Sequence, residues 1–121
     1  MVKIRVLVVD DHTMLRRGLT SSLSIEPDIA VVGEAANGEE AIAQFRALQP
    51  DLVILDWQMP RMTGPEVVGA LRTESAAARV LILSAFDGDD HIYHASKSGA
   101  LGYILKSAER VELLAAVRAV A

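Results

Sequence analysis

The chain has 121 residues, 51% of them apolar and 23% charged, with a formal net charge of −4 and no cysteine. Those numbers describe one globular domain with a single core of ordinary size, and they exclude a disulfide scaffold, a thiolate metal site and a basic nucleic-acid face. The apolar runs are strand-length, far short of the ~18 residues of a membrane-spanning helix, and no signal-peptide cleavage site follows the first of them, so a cytoplasmic protein without membrane contact is expected.

Strand and helix signals alternate five times along the chain. Ile4 to Val9 is an almost continuous apolar run, as expected of a parallel strand covered on both faces. After Asp10-Asp11, Leu15, Leu19 and Leu23 recur every four residues and predict one stripe of a helix that stops before Pro27. Ile29 to Val32 reads as a short second strand ended by Gly33. Asn37 is placed to cap a second helix, with Glu40 three residues on in the manner of a capping box; Ala41, Phe45 and Leu48 form its inward stripe and Pro50 closes it.

Leu52 to Leu55 is the third strand, four apolar residues without interruption. A loop from Asp56 to Thr63 follows, and Gly64-Pro65 opens a third helix, since proline at a first helical position has no N–H bond to lose. Val80 to Leu83 is the fourth strand. Asp87, Asp89 and Asp90 cluster at the start of a fourth helix, where acids favour the macrodipole, and Gly99 marks its end. That helix offers Ile92 and Tyr93 as its large apolar anchors, with His91, His94 and Lys97 around them. Leu101 to Leu105 is the fifth strand, and Ser107 is placed to cap a last helix with Leu113, Val117 and Val120 facing inward.

Strict alternation with short connections predicts an α/β fold, a parallel sheet with helices on both faces. In such sheets the binding crevice lies outside the carboxyl ends of the strands. The groups that close the apolar runs fall on that side: Asp10 and Asp11 after the first, Asp56 after the third, Ser84 after the fourth and Lys106 after the fifth. Carboxylates packed there repel; at ~5 Å and an effective dielectric near 20, each ionised pair costs roughly 3 kcal/mol. Core packing gives no reason for that arrangement. A divalent cation does, and so does chemistry on one of the carboxylates.

The stretches VVDDH, LDWQMPRMTG, ILSA and GYILK, in this order and at these spacings, resemble the receiver domains of two-component response regulators across the whole chain. VVDDHTMLRRGL, IAVVGEAANGEEA and GALGYILKSA are most similar to the NarL/FixJ (LuxR-type) subfamily. The resemblance implies a flavodoxin-like, doubly wound (βα)5 sheet with strand order 2-1-3-4-5. It implies Asp56 as phosphoacceptor, with Mg²⁺ held by Asp10, Asp11, Asp56 and the backbone carbonyl of Gln58. Ser84 and Lys106 would contact phosphoryl oxygens, Ser84 and Tyr103 would form a switch, and Gln58 and Phe86 would border the path of the hydrolytic water. The implied partner is a sensor histidine kinase, with a possible homodimer through the fourth helix, fifth strand and fifth helix or through the first and fifth helices. The domain itself would not contact nucleic acid. Subfamily members carry a C-terminal helix-turn-helix domain, so the sequence reads as a receiver separated from one, a stand-alone receiver being the alternative. Many receivers have proline after the lysine; Ser107 stands there instead.

Other readings fit the residues less well. A haloacid-dehalogenase-type hydrolase needs a second acid two residues past the nucleophile, where this chain has Gln58. A flavin carrier on this fold would want hydroxyls and glycines after the first strand, where acids would repel phosphate. A receiver-like interaction module without phosphotransfer has no use for the complete acid set. His12 reads as a helix-start residue because magnesium prefers oxygen. His91 and His94 lack an evident third ligand, and Arg16, Arg17 and Arg61 read as surface charges.

Overall fold

The computed structural model describes residues 2–85 and 88–121. Ten elements alternate: β1 (Ile4–Val9), α1 (Thr13–Ser24), β2 (Ile29–Ala35), α2 (Gly38–Leu48), β3 (Leu52–Asp56), α3 (Gly64–Glu74), β4 (Val80–Ser84), α4 (Asp89–Ser98), β5 (Gly102–Leu105) and α5 (Arg110–Val120). All strand pairs are parallel, and the sheet runs β2-β1-β3-β4-β5, the flavodoxin-like order that the resemblance implies.

Successive side chains on a strand point to opposite faces, so a strand covered on both sides must be apolar throughout. In β1, Leu7 and Val9 pack with Ala41 and Phe45 of α2, Val67, Val68 and Leu71 of α3, and Ala95 of α4. Val6 and Val8 pack on the other side with Leu23 of α1 and Leu113, Leu114, Val117 and Val120 of α5. β3 and β4 divide in the same way. Each fully buried Leu, Ile or Val contributes roughly 1.5–3 kcal/mol, which anchors the central strands firmly up to their carboxyl ends.

Helix ends follow local chemistry. Asn37 Oδ1 accepts the Glu40 N–H at 2.9 Å, while Glu40 Oε1 accepts the N–H of Ala36 at 2.9 Å, one residue earlier than in a regular capping box. At α3, Thr63 and Glu66 form the complete reciprocal box, a signal beyond the Gly64-Pro65 pair. Gly99 ends α4 in the left-handed region at φ 106°.

Several details differ from the sequence expectations. β2 does not stop at Gly33 but continues to Ala35, with an extra residue between the Val6–Val31 and Leu7–Gly33 pairs. Gly33 serves close approach: a Cβ there would lie 2.6 Å from Leu48 Cδ1 of α2. Asp56 and Ser84 are the last residues of their strands rather than the first of their loops. Leu101 precedes β5 and is exposed. Ser107 does not cap α5; the chain turns first, with the Ala108 N–H on the Leu105 carbonyl, and Glu109 takes the cap position without a side-chain bond. Ile92 and Tyr93 do not anchor α4: they are 42% and 58% exposed, and Ala95 is its buried residue among those described. Asp87 and Phe86 lie outside the described residues.

Candidate functional site

The sheet register brings the run-closing groups together. β1 and β3 pair up to Val9–Leu55, so Asp10 and Asp56 each follow by one residue. Both share the alternation of Val6, Val8, Leu52 and Ile54, so both leave the sheet toward the same side. Ser84 pairs with Leu105, and its carbonyl accepts the Lys106 N–H at 2.7 Å, which fixes where the lysine departs. Lys106 Nζ then reaches Asp56 Oδ1 at 3.2 Å and Asp10 Oδ2 at 3.7 Å. Asp10, Asp56 and Ser84 are at most 1% exposed.

Asp56 Oδ1 also accepts the Gln58 N–H at 3.2 Å. Asp10 Oδ1 accepts the His12 N–H at 2.8 Å, with His12 Nδ1 at 3.2 Å from the same oxygen and 3.3 Å from Asp11 Oδ1. One oxygen on each acid (Asp10 Oδ2, Asp11 Oδ1 and Asp56 Oδ2) is buried without a hydrogen-bond partner among the described residues. Burial pushes the Asp56 carboxyl up to about 6; the Asp10 charge adds to the rise, and the Gln58 N–H and Lys106 ammonium oppose it.

These groups fit a hard divalent cation. Atoms from Asp10, Asp11, His12 and Asp56 lie within 4.8 Å of one another, and the three acids each keep a buried oxygen without a hydrogen bond among the described residues. An unsatisfied buried carboxylate oxygen is costly, and three together are explained by a missing positive charge more readily than by packing.

Of the other residues singled out in the sequence, Tyr103 is half-buried against the α2-α3-α4 core, and Gln58 is exposed beside Asp56. No cis peptide bond occurs among the described residues, so Lys106–Ser107 is trans. Arg17 and Arg61 are exposed as expected, but Arg16 is not: its side chain is 12% exposed, bound to Glu34 and to the Asp10 carbonyl. His12, set aside as a helix-start residue, is the N-cap of α1 and also stands against both acids of the pair. The available signal was position: His12 and Arg16 are four apart, one helical turn, directly after the acids.

Residues 6–118 match the family described as the response regulator receiver domain. The chain is 44% identical over 112 residues to the nitrate/nitrite response regulator protein NarL of Escherichia coli K12, an alignment covering 93% of this chain and 52% of that protein. It thus spans about half the length of the curated relatives it matches. Its fold superposes with a TM-score of 0.92 on the signal receiver domain of the response regulator NarL from Mycobacterium tuberculosis, at 39% identity and covering 98% of this chain and 96% of that one. A chain of the CheX-CheY-BeF3-Mg²⁺ complex from Borrelia burgdorferi superposes with a TM-score of 0.91 at 29% identity, covering 98% of this chain and 90% of that one. No helix among the described residues is long and apolar enough to cross a membrane. With its sheet order and these matches in sequence and fold, the chain belongs to the response regulator receiver domains, in their NarL/LuxR-type branch.

Proposed function

We propose that this domain is a phosphorylation-controlled switch of a two-component system, with Asp56 accepting a phosphoryl group from the phosphohistidine of a sensor histidine kinase. The carrying observation is that Lys106 Nζ stands 3.2 Å from Asp56 Oδ1 while one buried oxygen on each of three carboxylates makes no hydrogen bond among the described residues. Asp10, Asp11, Asp56 and the Gln58 carbonyl are the residues that would hold Mg²⁺, which supplies charge neutralisation for the phosphoryl oxygens when bound. The Borrelia complex, which contains BeF3 and Mg²⁺, supports that assignment.

The rest follows from the chain's own groups. Phosphoryl transfer needs positioning and charge stabilisation more than covalent assistance. The Asp56 carboxylate is oriented through Oδ1 by the Gln58 N–H and the Lys106 ammonium, and one of its oxygens attacks phosphorus. As the phosphorus–nitrogen bond of the donor breaks, its electron pair stays on the imidazole and a phosphorus–oxygen bond forms to Asp56. Lys106, a compact cation on a flexible stem, stabilises the charge gathering on an equatorial oxygen, and Ser84 donates to another. The product is an acyl phosphate, which hydrolyses, so the domain acts on itself rather than turning over an external substrate. Ser84 drawn to the phosphoryl group and Tyr103 moving inward would carry the change to the α4-β5-α5 surface. α4 suits that role: Ala95 is its buried residue and its large apolar side chains are exposed, so few contacts resist its displacement. Homodimerisation through that surface or through α1 and α5, a cytoplasmic setting, and control of a C-terminal DNA-binding helix-turn-helix domain complete the proposal. The relatives' greater length supports the last of these.

The direct test is mass spectrometry after incubation with acetyl phosphate. One phosphoryl group per chain is expected in Mg²⁺ and none in EDTA; equal results in both would return the domain to an interaction module. The pH dependence has a definite sign. Because the Asp56 carboxyl is raised from 3.8 to about 6, in Mg²⁺-free solution its contribution to stability is greatest below pH 4 and is lost as pH rises through 6. Mg²⁺ requires the ionised form, so its dissociation constant, read from Trp57 fluorescence, should be flat above pH 7. Below about pH 6 it should rise ~10-fold per pH unit, one proton competing with each ion.

A further inference from the structure

Building on the reading above, we propose that Arg16 is the positioning residue of the acidic pair: its guanidinium fixes the β1–α1 turn so that Asp10 and Asp11 face Asp56. β1 ends at Val9, paired with Ala35, and the Asp10 N–H makes the last sheet bond, to the Ala35 carbonyl at 3.0 Å. The Asp10 carbonyl has no strand beyond it to bond. Arg16 Nη1 donates to it at 2.7 Å. Together with the His12 N–H on Asp10 Oδ1, this holds the residue at three points and leaves Oδ2 turned toward Lys106, without a hydrogen bond among the described residues.

The same contact governs Asp11. The Asp10 carbonyl belongs to the peptide plane joining the two acids, so fixing that oxygen fixes the direction in which Asp11 leaves the strand. Arg16 is in turn held in place. Its Nε donates to Glu34 Oε1 at 3.0 Å, and Glu34 lies in β2 opposite Val8, two residues before Asp10. Its position in the first turn of α1, with its own N–H on the His12 carbonyl, points the side chain back over the strand end. The planar fork serves the two partners from separate nitrogens in one fixed geometry, whereas a lysine offers a single nitrogen with rotatable donors. At 12% exposure the side chain is shielded enough for these bonds to hold one geometry.

Partners that orient metal ligands typically alter affinity 10–100-fold when removed. In a Mg²⁺ titration followed by Trp57 fluorescence, Arg16→Met, which keeps the aliphatic stem, should weaken binding by about that factor. The rate of phosphorylation by acetyl phosphate at saturating Mg²⁺ should stay within a few-fold of the parent's, a split between affinity and rate that general destabilisation would not give. Arg16→Lys, with one donor retained, should fall between. Arg17→Met removes the same charge from an exposed neighbour and should leave affinity at the parental value. Affinity in Arg16→Met within twofold of the parent, or an equal loss in Arg17→Met, overturns the proposal. If the parent itself binds no Mg²⁺, the functional reading fails instead. Amide exchange of Asp11 and His12 then decides the role of Arg16: faster exchange in Arg16→Met than in the parent supports it, and unchanged exchange refutes it.

Discussion

Asp56→Asn should take up no phosphoryl group from acetyl phosphate under conditions that load the parent fully, a loss of roughly 10³-fold or more, the order seen when an enzyme's nucleophile is removed. The substitution is nearly isosteric. The side-chain oxygen can still accept from Gln58 and face Lys106, the two groups that hold Oδ1 in the parent. What disappears is the nucleophilic carboxylate and one of three acids suited to a cation. Structure should survive, because Asp56 follows the last packed residue of β3 and takes no part in either core cluster. Stability should even favour the variant in Mg²⁺-free buffer at pH 7.5. Burial raises the Asp56 pKa to about 6, so at that pH the folded parent carries a charge it would rather discard, whereas asparagine has none. Mass spectrometry and a thermal melt check both halves. A phosphorylated variant would assign the acceptor elsewhere, and a variant that melts well below the parent would make Asp56 a structural anchor.

The second large effect should come from a glycine. In Gly64→Ala the added methyl would stand 2.2 Å from Trp57 Cε3 and 2.6 Å from Cζ3. Neither side can yield cheaply: Trp57 is 8% exposed and packed in the α2-α3-α4 core, and Gly64 begins a helix fixed by the Thr63–Glu66 box. Overpacking of a rigid site costs about 1–3 kcal/mol, and the upper half of that range is expected here. For a domain of this size that lowers the melting temperature by roughly 6–12 °C. Trp57 is the residue after Asp56, so its displacement should also alter the fluorescence change on adding Mg²⁺. An unchanged melt would mean that α3 can shift away from the indole without loss.

What could be read from sequence was what depends on neighbours along the chain. The uninterrupted runs VLVV, LVIL and VLIL give strands covered on both faces, and the polar residue ending each one falls on the carboxyl edge whatever the helices do. Arg16 was not legible because the side chain that holds it is remote: Glu34 is 18 residues away in β2, and nothing in the pair Arg16-Arg17 says which one turns back over the sheet. Gly33 has two uses, as breaker and as close-approach residue, and only the position of Leu48 decides between them. Ser107 is the better capping residue by chemistry, yet the tight turn after β5 consumes it before the helix begins. Ile92 and Tyr93 misled for a plainer reason, since large apolar side chains do stand in solvent and α4 packs through the smaller Ala95.

The division of each central strand into packed interior and polar last residue has a consequence for how such a chain changes over generations. Asp10, Asp56, Ser84 and Lys106 all stand outside both apolar clusters, so mutation can erase the reactive edge one residue at a time while leaving those clusters in place. A descendant that had lost its chemistry would still present the same helices to the same neighbours, and silent copies of this architecture should therefore be easy for genomes to produce and to keep.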